Sequence, residues 1–163
     1  MNLDYTILIG TWILMGILLW IFTPREKILH VHVGFLCMQV ITWVLGALVV
    51  ENKLISYPVR FLDYTYRASF SFEYFLFPSI SALFNVHFPE EKSLVWKILY
   101  ACAFPTAITS IEAMLEKYTN LIKYINWTWY YSWISLLVVL LLSYWYYRWF
   151  FRKIEQIYGK KRP

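Results

Sequence analysis

The chain repeats one pattern five times: a run of mostly apolar residues, long enough to cross a bilayer, closed by a charged hinge or polar loop. About 20 such residues cover the roughly 30 Å of hydrocarbon in a membrane. Hydropathy places the spans near 5–22, 28–50, 69–88, 94–113 and 130–151. Lipid offers backbone groups no hydrogen bonds, so runs of this kind must satisfy themselves as helices. The pattern predicts an all-α, polytopic membrane helical bundle with about five transmembrane helices, one domain over residues 1–163, and a basic tail at 152–163. Composition agrees, because only 15% of residues are charged against about 25% in a soluble domain.

Polarity along the chain predicts direction. The first run follows the acidic MNLD and precedes the basic TPREK, the reverse of a signal peptide, and no small-residue cleavage site follows it. Lysine and arginine are retained on the cytoplasmic side during insertion. With the N-terminus outside and the C-terminus cytoplasmic, ten of the fifteen basic residues fall inside: Arg25, Lys27, Lys92, Lys97, Arg148, Arg152, Lys153, Lys160, Lys161 and Arg162. The expected location is a bacterial inner membrane. Four spans with the N-terminus inside is the competing arrangement. Hinges at 23–27 and 89–93, each marked by a proline that ends a helix, are short enough that spans one and two, and spans three and four, are expected to pair.

Aromatic residues bracket the fifth span, with Trp127, Trp129, Tyr130, Tyr131 and Trp133 at one end and Trp145, Tyr146, Tyr147 and Trp149 at the other. Amphipathic rings settle at headgroup depth, so these are expected as interfacial belts. Arg148, Arg152, Lys153, Lys160, Lys161 and Arg162 are expected to contact anionic headgroups, each contributing about 1 kcal/mol. Nucleic acid is not an expected partner, because a short tail supplies no folded reader. Ile111, Met114, Leu115, Tyr118, Ile122 and Ile125 recur at three- and four-residue steps, which predicts that span four continues or bends into an outer amphipathic helix. Residues 54–67 are expected as an interfacial or re-entrant cap.

Ionisable groups in hydrocarbon are costly, so they are the first place to look for function. In span three, Ser71, Tyr74, Pro78, Ser81 and Asn85 step along one helical face, with Glu73 about 100 degrees aside from Tyr74. In span four, Cys102, Pro105, Thr109, Glu112 and Glu116 do the same. Small and polar stripes of this kind form helix contacts. Glu73 and Glu112 are expected at similar depth, and two converging carboxylates require a shared proton or a nearby cation. Arg60 and Arg67 in the cap are the candidate cations, and Asp63, Asn85 and Glu116 complete the candidate polar cluster. Pro78 and Pro105 are candidate helix breaks that release the carbonyls of Tyr74 and Ala101. His30 and His32 diverge around span two and predict an interface rather than a metal site. Cys37 and Cys102 sit in apolar runs as reduced thiols. No metal or cofactor is expected.

The stretches YPVR at 57–60, FEYFLFPSISALFN at 72–85, FPTAITSIEAMLEKYTNLIKY at 104–124 and WTWYYSWIS at 127–135 resemble a family of small uncharacterised multi-span membrane proteins of spore-forming Firmicutes. The resemblance covers about half the chain and omits the first two spans. It implies importance for Tyr57, Pro58, Arg60, Glu73, Pro78, Asn85, Pro105, Glu112, Glu116, Lys117, Lys123, Trp127 and Trp129. FEYFLFP is also similar to the acidic aromatic motif of small membrane carotenoid cyclases, whose remaining pattern is absent.

No nucleophile elbow, zinc-protease helix, phosphate loop or C-x-x-C pair occurs. The leading expectation is therefore a non-enzymatic envelope protein with an accessory, assembly or lipid-binding role. Its expected partners are membrane lipids, further copies of itself or another membrane protein. A proton- or ion-coupled small permease is the alternative, and a membrane-embedded lipid or isoprenoid enzyme, with Glu73 as general acid, is third.

Overall fold

Apolar runs free of internal proline form the first two helices, α1 (Leu3–Phe22) and α2 (Ile28–Glu51), in the computed structural model, which describes residues 3–158. Pro24 stops α1, and one 3₁₀ turn, Arg25–Lys27, reverses the chain. The third span opens as a π turn, Ser71–Leu76, that leads directly into α3 (Phe77–Val86). The remaining helices are α4 (Leu94–Tyr118) and α5 (Trp129–Tyr158). Two short strands, β1 (Ile55–Ser56) and β2 (Lys123–Tyr124), pair antiparallel with Ile55 opposite Tyr124.

Four segments, Leu3–Phe22, Arg25–Glu51, Leu94–Tyr118 and Trp129–Ile157, are long and apolar enough to cross a membrane. In none of them is more than 28% of the most apolar stretch buried inside the protein. Trp20 is 83% exposed and Leu94 71%, an outer surface that suits acyl chains and would aggregate in water. The protein is thus a membrane helical bundle.

The α3 helix is its axis. Pro78, Ser79, Ser81, Ala82, Phe84, Asn85 and Val86 are all buried, so the shortest α-helix, with two serines and an asparagine among its buried residues, lies inside a sheath of longer ones. Helices associate in lipid through close packing and interhelical hydrogen bonds, which favours small and polar side chains at the contact. Along α2, Val31, Gly34, Met38 and Thr42 form the buried ridge that meets α3. Gly34 lets the backbones approach, since a Cβ there would stand 3.5 Å from Ala82 Cα.

The pairing differs from the one predicted. The most extensive contacts join α2 to α3 and α4 to α5, while α1 leans on the π turn and α3. Between α3 and α4 stand the rings of Phe84, Tyr100 and Phe104, which hold the two backbones apart. Between α1 and α2 runs a groove lined by Trp20, Ile28 and Phe35. A short hinge fixes the direction of neighbouring helices but leaves their separation free.

One end carries the hinges. There Lys27 donates to Val86 O at 3.3 Å, His30 stacks on Phe151 and bonds Tyr147 Oη at 2.7 Å, and Arg148 pairs with Glu90 at 3.0 Å. The other end carries a cap. Asn120 N–H donates to Asp4 Oδ1, Val59 N–H to Asn120 O, and Ile55, Tyr57, Ala68 and Ile122 form the cap's own apolar core. The α4 helix runs past residue 113 to Tyr118, as expected, with Ile111, Met114 and Tyr118 exposed. Beyond Tyr118 the chain leaves the helix. Ile122, expected on that outer face, is 2% exposed in the cap core, because pairing with β1 draws it inward.

Arg60 was expected to neutralise the glutamates, yet its guanidinium donates to three carbonyls, Tyr57 O, Asp63 O and Tyr66 O, at 2.6–2.8 Å. It therefore holds shut a loop in which Leu62 sits at φ 59°, a costly backbone for a bulky residue. Arg60→Lys keeps the charge and loses the planar fork. Each charged hydrogen bond contributes about 1.5–3 kcal/mol, so backbone amides of residues 57–68 should exchange at least ~10-fold faster, while α2 and α5 keep their protection. Unchanged exchange across the cap would refute this role for Arg60.

Candidate functional site

Beneath the cap, α2, the third span, α4, α5 and both cap segments enclose a cavity of about 210 Å³. Its walls are apolar, from Met38, Val49, Phe77 and Val139 among others, and its polar groups are Thr42, Tyr57, Glu73, Glu112, Ser132 and Ser135.

The π turn places Glu73. Pro78 has no N–H for the Tyr74 carbonyl, and the Phe77 N–H returns five residues to Phe72 O, so the turn is widened. Two side chains of α2 satisfy the carbonyls involved. Gln39 Nε2 donates to Tyr74 O at 3.0 Å, and Thr42 Oγ1 to Glu73 O at 2.7 Å. Release of the Tyr74 carbonyl was predicted from Pro78; its partner, Gln39, was not. The extra backbone also breaks the expected stripe, leaving Tyr74 45% exposed and Glu73 only 3%.

Glu73 lies flat against α2, where a side chain at Gly46 would overlap its carboxylate. Its Oε2 accepts from Tyr66 Oη, and its Oε1 is buried without a partner. Burial, and then the Glu73 contact, holds the Tyr66 phenol above its ordinary range, so it is a donor here. Across the cavity the Ser132 and Tyr124 hydroxyls stand against Glu112, whose Oε2 is likewise buried and unpartnered. Trp127 Nε1 donates to Ser132 Oγ at 2.9 Å, which leaves the serine proton free to point at the carboxylate. Buried Tyr57 senses both acids: burial first, then Glu73 and Glu112, push its phenol well above the usual value. The two carboxylates therefore share one cavity, as depth along the spans predicted.

Other expected members lie elsewhere. Arg67 and Asp63 are exposed on the cap, and Asp63 contributes only its carbonyl to Arg60. Glu116 stands near Tyr124 beside the cavity, and its carbonyl accepts from Lys123 Nζ. Asn85 belongs to a separate network: its Nδ2 donates to Ser143 Oγ at 3.0 Å, which also bonds Ser81 at 2.8 Å. Twelve residues of helix, about 18 Å, separate it from Glu73. Pro105 is buried within an unbroken α4. Arg148, expected at headgroups, is held by Glu90, which also accepts from Tyr144 Oη at 2.7 Å. Arg152 and Lys153 are exposed beside Trp145 and Trp149; Lys160, Lys161 and Arg162 lie outside the described residues.

Sequence reading missed Tyr66, Gly46 and Ser132 as site residues, and pointed to Tyr57 only through the family resemblance. The signal for Gly46 was its place on the ridge of α2 at four-residue steps from Gly34, Met38 and Thr42. Among the described residues no group of three or more potential metal ligands occurs. Comparison with protein-family models, curated proteins and solved structures finds no match to this chain.

Proposed function

We propose that this chain is a multi-pass protein of a bacterial inner membrane, with its N-terminus outside and its basic C-terminus cytoplasmic, and that it is a non-enzymatic, lipid-binding accessory of the envelope. The capped end then faces outward, and the cavity lies at the depth of the outer leaflet. The likeness to small multi-span proteins of spore-forming Firmicutes fits this setting. One observation carries the reading: Glu73 and Glu112 both line an apolar-walled cavity, and each has one buried carboxylate oxygen without a hydrogen-bond partner. Leaving such an atom unsatisfied costs about 1–3 kcal/mol, which an amphipathic occupant with a polar end at the carboxylates recovers. Leu45, 40% exposed and lining the cavity, marks the side open to acyl chains.

Gly46→Ile tests it. The new side chain takes the place of the Glu73 carboxylate and fills the cavity. Wild-type protein purified in mild detergent should carry a bound lipid by native mass spectrometry, and the variant should lose it while keeping its helical circular dichroism. Equal lipid retention by both proteins would overturn the proposal.

The π turn and the absence of a cation among the described cavity-lining residues also favour a second reading, an ion-coupled carrier. Proton flux in liposomes that disappears with Glu73→Gln would support it, and no flux would remove it.

A further inference from the structure

We infer that the occupant of the cavity presents a single organic cation, an ammonium group on an apolar body, to Glu73, Glu112 and the rings of Tyr57 and Trp127. This rests on the lipid-binding reading and specifies the chemistry of the ligand. Glu73 is the anchor: it is 3% exposed, it lines the cavity, and its Oε1 has no partner. A carboxylate accepts hydrogen bonds and attracts positive charge, so the group that completes it is a donor or a cation. No lysine, arginine or histidine is among the described lining residues. Of the two cap arginines, Arg60 is spent on three carbonyls and Arg67 is exposed on the cap surface.

Metal ions fit poorly. Calcium takes six to eight oxygen ligands and magnesium a near-octahedral set, whereas two carboxyl groups here share their space with Met38, Val49, Phe77 and Val139. An aromatic face beside a carboxylate is instead the recurring environment of an ammonium group, through cation–π attraction and charge. Tyr57 and Trp127 are the Tyr and Trp residues of the wall. Trp127 Nε1 is held on Ser132 Oγ. The volume also suits: about 210 Å³ exceeds the ~150 Å³ of a cavity that holds benzene, enough for an ammonium head and a few methylenes. The rest of an alkyl chain leaves past Leu45. Charge balance needs one cation and one proton for two carboxyl groups. An anionic phosphate or carboxylate next to the ammonium would meet repulsion from the second glutamate, so a net cationic amphipath is favoured over a zwitterion.

The test uses the full-length protein in non-ionic detergent and four probes of one chain length: decylamine, decyltrimethylammonium, decanol and decanoate. A hydrophobic carbodiimide labels buried carboxyl groups, and peptide mass mapping reads the modification at Glu73 and Glu112. Both cationic probes should protect these two residues and raise the unfolding temperature, with affinity at least ~10-fold above decanol, and decanoate should do neither. Glu73→Gln should remove that advantage. Because the comparison is made first on the wild type, a variant that misfolds leaves the result intact. If decanol protects as well as decylamine, the cation is refuted while a lipid cavity stands. If no probe protects, the cavity is not a binding site and both readings fall. Decylamine binding that weakens ~10-fold in nanodiscs containing phosphatidylethanolamine, relative to phosphatidylglycerol alone, would assign the site to an aminolipid head and remove the preference against zwitterions. Equal affinity in the two assigns it to a free amine.

Discussion

Gly34→Leu should destabilise the bundle by more than about 3 kcal/mol and strip the protein from the membrane fraction in cells. A Cβ at Gly34 already stands 3.0 Å from Asn85 Nδ2 and 3.5 Å from Ala82 Cα. Three further carbons have no space in the most extensive helix contact of the fold. Overpacking costs about 1–3 kcal/mol. Displacing Asn85 also breaks its bond to Ser143 and leaves a buried amide without a partner, about 1–3 kcal/mol more. Gly10→Leu is the control. A Cβ there meets nothing within 4 Å, so this substitution on the outer face of α1 should leave the detergent unfolding temperature within a degree or two. Similar behaviour of the two variants would mean that α2 and α3 are not in backbone contact at Gly34.

Ser143→Leu should cost about 2–4 kcal/mol, measured as resistance to SDS denaturation. Ser143 is 0% exposed and is the only link in this network between α5 and the axis, through Ser81 and Asn85. The leucine adds volume and orphans two polar side chains together. Ser143→Ala removes the bonds without adding volume, and interhelical hydrogen bonds in membranes average only about 0.6 kcal/mol. The alanine variant should therefore lose much less than the leucine one. If alanine proves as damaging as leucine, hydrogen bonding rather than packing dominates this contact, contrary to the argument from volume.

The contrast shows which parts of the fold were legible in sequence. Four of the five spans were, because hydropathy over about 20 residues is a property of each segment alone, and α2 begins and ends within a residue of its expected bounds; the expected third, 69–88, is instead the π turn Ser71–Leu76 followed by the short α3 and is not among the helices of membrane-crossing length. The convergence of Glu73 and Glu112 was legible too, because antiparallel spans fix depth. Lateral arrangement was not. Which helix sits in the middle depends on the fit of Gly34 to Ala82 and on the bulk of Phe84 and Phe104, a comparison among all surfaces at once. The stripe from Ser71 to Asn85 was visible as polar, but an ideal helical period carried it straight through the π turn and misplaced Tyr74. Ile122 and Ile125 followed a helical rhythm with Ile111 and Tyr118, and tertiary pairing of β1 with β2 overrode it. Arg60 was expected to answer charge with charge. Its actual partners are carbonyls of its own loop, a need that appears only once that loop bends at Leu62.

The β1–β2 clasp has a consequence for biogenesis. Ile55 leaves the ribosome nearly seventy residues before its partner Tyr124, and Asp4 waits longer still for Asn120. During synthesis α1, α2, the π turn and α3 must wait with Glu73 uncovered by that clasp. The lid over that acid closes only when the start of the last helix arrives, so folding of this protein is completed from its C-terminal third backward, and chains truncated before residue 120 should be targets for membrane proteases.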